Sequence, residues 1–121
     1  MMNRSIISLI LIMFFSRKTE LLKIEYYVLE QEVYLSSNES FEYSLGTGIS
    51  IEGGFSIEKQ ARHFEVSDLV INRTGLLQLE YVYKPKAGFK GIDIVVLKNC
   101  ISIGSGNCDK IELFKFTFHI K

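Results

Sequence analysis

The sequence predicts an all-β fold, a sandwich of about seven antiparallel strands. Three observations carry that expectation. The final segment alternates without a break: Phe114, Phe116, Phe118 and Ile120 point one way, and Lys115, Thr117, His119 and Lys121 the other, as a half-buried strand requires. In the middle, Leu76 to Tyr83 and Ile92 to Leu97 are two apolar and aromatic stretches separated by Pro85, Gly88 and Gly91, the residues that punctuate strands. Elsewhere short apolar stretches recur between turn signals, and almost nothing has a helical period.

Taken in order, Leu22 to Leu29 and Glu32 to Ser36 read as one long bent strand or two short ones. Ser36 to Ser40 is a polar break, and Phe41, Tyr43 and Leu45 share the face of the next strand. Gly46-Thr47-Gly48 turns the chain into a short strand at Ile49 to Ile51, which Gly53-Gly54 stops. Ser56 to Arg62 contains helix formers, and one helical turn is expected there. A strand from Glu65 to Ile71 ends at the Asn72 to Gly75 turn. Leu77, Leu79, Tyr81 and Tyr83 then form one face of the central strand. Ile92 to Leu97 is apolar at nearly every position and is expected to be covered on both faces. In the last strand Ile111 and Leu113 are out of phase with Phe114, which predicts a bulge between Leu113 and Phe114.

A chain of 121 residues suits one domain, and 47% apolar against 23% charged residues supports a packed core rather than disorder. Fourteen basic and fourteen acidic side chains cancel. Without a basic field the main driving force for nucleic-acid binding is missing, so no nucleic-acid partner is expected.

Met1 to Ser16 has the layout of a secretory signal peptide: Arg4 near the start, an apolar run from Ile6 to Phe15, and the small Ser16 before polar residues; the alternative is an N-terminal apolar segment buried as a first strand or helix. The run is too short for a stable membrane span. The domain is therefore expected to occupy residues 17–121, with no span left once the signal is removed. Export would place the product in the periplasm, on the cell surface or outside the cell. Cys100 and Cys108 flank a tight Ile-Ser-Ile-Gly-Ser-Gly-Asn loop and are expected to pair in an oxidising compartment. Neither His63 nor His119 stands at zinc-motif spacing from a cysteine.

Tyr83-x-Pro85-x-x-x-Phe89-x-Gly91-x-Asp93 resembles a signature of bacterial immunoglobulin-like and cadherin-like extracellular domains. In that family an aromatic ends one strand, a loop with Pro crosses over, and Phe-x-Gly-x-Asp leads into the next. Val95 and Leu97 stand where the family usually has aromatics. The resemblance implies an immunoglobulin-like β-sandwich on an exported bacterial protein. The residues themselves suggest structural work. Pro85 restricts the loop, Gly91 permits an unusual backbone, Phe89 folds back as a plug, and Asp93 accepts loop amides. A calcium ligand at Asp93 is the alternative, but few carboxylates lie near it in sequence. Tyr81-x-Tyr83-x-Pro85 after Gly75 also resembles the chagasin family of cysteine-protease inhibitors, although that family's Asn-Pro-Thr-Thr-Gly and Arg-Pro-Trp loops are absent.

No nucleophile elbow, zinc-protease helix or phosphate loop occurs, and Gly104-Ser105-Gly106 reads as a turn. His63 has no evident partner, His119 lies on the solvent side of the last strand, and Glu30 and Glu32 are a solvated pair. The expectation is a non-enzymatic binding or adhesion module without a cofactor or metal. Its partner would be an extracellular protein or glycan; the alternative is a secreted chagasin-like inhibitor.

Overall fold

The structure, a computed structural model, describes residues 24–47, 54–75, 77–102 and 106–121. The signal-like Met1 to Ser16, the short strand expected at Ile49 to Ile51, and Gly104 and Ser105 of the glycine turn lie outside those residues. Seven strands are present: β1 (Glu25–Leu35), β2 (Phe41–Thr47), β3 (Phe55–Lys59), β4 (Phe64–Asn72), β5 (Gln78–Pro85), β6 (Gly91–Ile101) and β7 (Lys110–Ile120). They form a four-stranded sheet in the order β1-β7-β6-β3 and a three-stranded sheet in the order β2-β5-β4. The fold is an all-β sandwich.

All strand pairs but one are antiparallel, as expected. The exception is β1, which runs parallel to β7 from Glu25 beside Lys110 to Leu35 beside Ile120. A parallel pair cannot be joined by a hairpin and needs a crossover; here the intervening strands supply it. β1 leaves the sheet through a turn in which Glu39 N donates to Ser36 O over 3.1 Å. The chain then crosses to β2 in the other sheet.

Two local expectations fail. Phe55 to Lys59 is a strand rather than a helical turn, paired with β6 from Asn99 to Val96. Phe55 is buried, and its ring lies 6.1 Å from Phe114. Ladder bonds and an anchored aromatic outweigh helix propensities of about 0.3 kcal/mol per residue. The bulge predicted at Leu113 and Phe114 is absent, because β7 keeps unbroken register with β1 and β6. Ile111 instead is buried on the outer face, in register with Cys100. Register shifts occur at Ser44/Gly46, Ile57/Lys59 and Phe64/Val66.

The core lies where the sheets face one another. Leu79, Tyr81 and Tyr83 from β5, Val95 and Leu97 from β6, and Phe118 from β7 are fully buried, with Phe116 nearly so. Burying each such side chain is worth roughly 1.5–3 kcal/mol. The rings of Tyr81 and Phe116 lie parallel at 6.0 Å, and Phe41 of β2 meets Phe116 at 5.4 Å and Phe118 at 5.5 Å. The last strand therefore buries the alternating aromatic face that its sequence predicts. Coverage of β6 is one-sided: Asp93, Val95 and Leu97 are buried, but Ile92 is 59% exposed on the outer face.

Candidate functional site

At one end of the sandwich the loop motif closes around Asp93. Asp93 projects from the inner face of β6, beside Phe118, and is 3% exposed. Its Oδ1 accepts Arg62 N at 2.8 Å and Ile94 N at 3.1 Å. Its Oδ2 accepts His63 N at 2.9 Å and the Tyr83 hydroxyl at 2.8 Å. A buried carboxyl group needs its oxygens hydrogen-bonded in this way. Burial, and after it the bond to Asp93, pushes the Tyr83 hydroxyl above the ordinary tyrosine range. Tyr83 thus remains a proton donor to Asp93. No cluster of three or more metal-ligating His, Cys, Asp or Glu occurs among the described residues.

The rest of the motif holds this knot in place. Pro85 ends β5 and is buried opposite Phe64 of β4. Lys86 N donates to His63 O at 3.1 Å, and Phe89 N donates to Lys86 O at 2.9 Å. Phe89 folds back and stacks on His63 with centroids 4.2 Å apart. Gly91 has φ +138°, and a Cβ there would lie 3.3 Å from the Phe89 ring. Tyr83, Phe89, Gly91 and Asp93 are therefore brought together, joined by Arg62 and His63. Those two give no sequence signal, because what they contribute to Asp93 is their backbone amides.

At the opposite end Thr47 and Asn72 both reach Gln78 in register, Phe55 pairs with Asn99, and Ile101 pairs with Lys110. The ends of β2, β4 and β6 and the starts of β3, β5 and β7 therefore gather at this end. Cys100 and Cys108 are joined by a disulfide with Cα atoms 5.2 Å apart, which clamps the base of the β6–β7 connection. In the β4–β5 turn, Asn72 Oδ1 accepts Thr74 N at 3.0 Å, and Gly75 takes φ +81°.

The first half of β1 runs alongside this end. Tyr26, Tyr27, Val28 and Leu29 are 48–61% exposed, as is Leu77 at 52%. Tyr27 and Leu29 share the inner face with Glu112 and Phe114, while Val33 and Leu35 further along that face are buried. The three-stranded sheet thus covers the second half of β1 and leaves the first half open. A shallow cavity of about 310 Å³ lies there, lined by Tyr27, Leu29, Phe114 and their neighbours. On the outer face Glu30 meets Lys115 at 3.9 Å, and His119, stacked on Tyr34, meets Glu32 at 2.7 Å. Such exposed pairs contribute little to stability.

No family model and no curated protein matches the chain. Among solved structures it is similar to a cysteine protease inhibitor from Entamoeba histolytica. The identity is 15% and the TM-score 0.50, over 81% of this chain and 97% of that one. Two structures of an endo-fucoidan hydrolase of glycoside hydrolase family 107 match at TM-scores of 0.39 and 0.40, with 15% and 14% identity. They cover 78% and 77% of this chain and 12% of each hydrolase chain. At that identity the likeness to the inhibitor concerns the fold alone.

Proposed function

We propose that the protein is a non-catalytic, exported binding module that holds a protein partner at the end where β2, β4 and β6 finish. The observation that carries this reading is the exposed Tyr27 and Leu29 on the inner face of β1 at that same end, beside the cavity they line with Phe114. Exposed apolar side chains that line a cavity mark an interaction site. The Cys100–Cys108 disulfide supports export, because such bonds persist in oxidising compartments. The test is retention of a partner from an extracellular or envelope extract by the immobilised protein, compared with a Tyr27→Glu/Leu29→Glu variant of unchanged melting temperature. A partner held by the native chain and lost by the variant supports the reading. Equal retention by both, or none by either, sinks it.

One observation favours a second reading. The likeness over nearly the whole length of a cysteine protease inhibitor supports that class of protease as the partner, as a chagasin-like inhibitor would require. Titrating papain with the protein decides it. Full activity at large excess removes this reading and leaves the general one standing.

A further inference from the structure

The other end of the sandwich carries a second surface. β3 stops at Lys59, opposite Val96 of β6. From Gly91 to Val95, β6 therefore has β7 on one side and, among the described residues, no strand on the other. The gap is a half-open groove of about 300 Å³ lined by Lys59, Arg62, His63, Ile92, Asp93 and Ile94.

Two features of the backbone decide the charge presented there. The register shift between Ile57 and Lys59 leaves Glu58 as the extra residue of a bulge, so that Lys59 rather than Glu58 stands opposite Val96. Bulges re-aim side chains in this way. Without the shift an acidic residue would take that place. Arg62, in turn, belongs to the corner whose amides are fixed by Asp93. Neither Lys59 nor Arg62 has an ion pair among the described residues. The one acid lining the groove, Asp93, is buried and already accepts four hydrogen bonds. His63 is stacked against Phe89. The groove thus offers two unpaired cations beside the apolar Ile92 and Ile94.

We propose that this groove recognises an extended acidic segment of a protein. Its carboxylates would meet Lys59 and Arg62, its apolar side chains would lie on Ile92 and Ile94, and its main chain would run along the open edge of β6. Charge complementarity selects an anionic occupant. Apart from Ile94 N, which donates to Asp93, this stretch of edge has no ladder partner among the described residues, and it selects a peptide over a polysaccharide, since only a peptide can continue the ladder. The proposal is independent of the loop-end reading, because the groove lies at the other end of the sandwich.

The test is a titration of the ¹⁵N-labelled protein with an end-blocked peptide alternating Glu and Val, and with its Lys–Val counterpart. The expected result is shifts of the Lys59, Arg62, Ile92 and Ile94 amides with the acidic peptide alone. Affinity should fall about tenfold in a Lys59→Glu/Arg62→Glu variant of unchanged melting temperature, and it should weaken with added salt. The Tyr27→Glu/Leu29→Glu variant should bind the peptide as the native chain does. Absence of shifts at millimolar peptide, equal response to the Lys–Val peptide, or undiminished binding by the charge-reversed variant overturns the proposal. So does saturation of the groove by heparin with no response to the peptide.

Discussion

The rings of Tyr83 and Phe118 lie face to face across the two sheets, with centroids 3.9 Å apart and planes 5° from parallel. The same tyrosine donates its hydroxyl to Asp93 at 2.8 Å. One side chain therefore joins the apolar interior to the polar knot that closes the sandwich. Replacing Phe118 by Ala removes its half of the stack from a site with no solvent exposure. The expected cost is about 3–5 kcal/mol, read from urea denaturation. A loss below about 1 kcal/mol would contradict this packing.

Asp93→Asn keeps the shape and removes the charge. The new amide has a single acceptor oxygen, and its NH2 opposes either Arg62 N and Ile94 N or His63 N and the Tyr83 hydroxyl, all of them donors. Stability should fall by about 2–4 kcal/mol, and amide exchange at Arg62 and His63 should accelerate. If Asp93 were instead a calcium ligand, adding calcium would raise the melting temperature of the native chain. We expect no such rise.

Tyr83 also sets the alkaline limit. Its folded-state value is raised above the ordinary 10.0, chiefly by burial. The unfolded chain therefore loses this proton first as pH rises. The associated stability is fully present below about pH 10 and declines as pH climbs toward the raised folded value. Tyr83→Phe should be less stable at neutral pH, having left Asp93 one donor short, yet show a shallower alkaline decline. Chemical denaturation between pH 7 and pH 12, about the accessible range, gives both slopes. Tyr81, raised by the same cause, contributes in the same direction.

The Cys100–Cys108 bond closes a short loop. Its reduction should cost about 2–3 kcal/mol by the chain-entropy argument. Thermal melts with and without dithiothreitol measure this. The Cys100→Ser/Cys108→Ser variant should match the reduced protein.

Val28→Lys substitutes a side chain that is 61% exposed on an edge strand. Stability should change by less than about 0.5 kcal/mol. Self-association at high concentration should fall, because a charge on a strand edge discourages edge pairing. Sedimentation velocity of the two proteins reports the outcome.

Where a local pattern coincided with a tertiary role, the sequence was readable. The alternation from Phe114 to Ile120 named the buried face of β7, and Leu79, Tyr81 and Tyr83 named that of β5. The spacing of Tyr83, Phe89, Gly91 and Asp93 outlined the knot. What was not readable depended on backbone partners distant in the chain. Ser56 to Lys59 carries helix formers, and only β6 makes it a strand. The phase change between Ile111 and Phe114 suggested a bulge, but both faces of β7 are used, so no correction of register is needed. His63 looked solitary because its ring meets Phe89, twenty-six positions later, and its amide meets Asp93. The groove beside β6 was equally hidden, since it exists because β3 ends early.

The parallel alliance of β1 with β7 has a consequence for biogenesis. Among the described strands the first must wait for the last, so the larger sheet cannot close before Lys110 to Ile120 has been made. Until then the edge of β7 that β1 covers stays open.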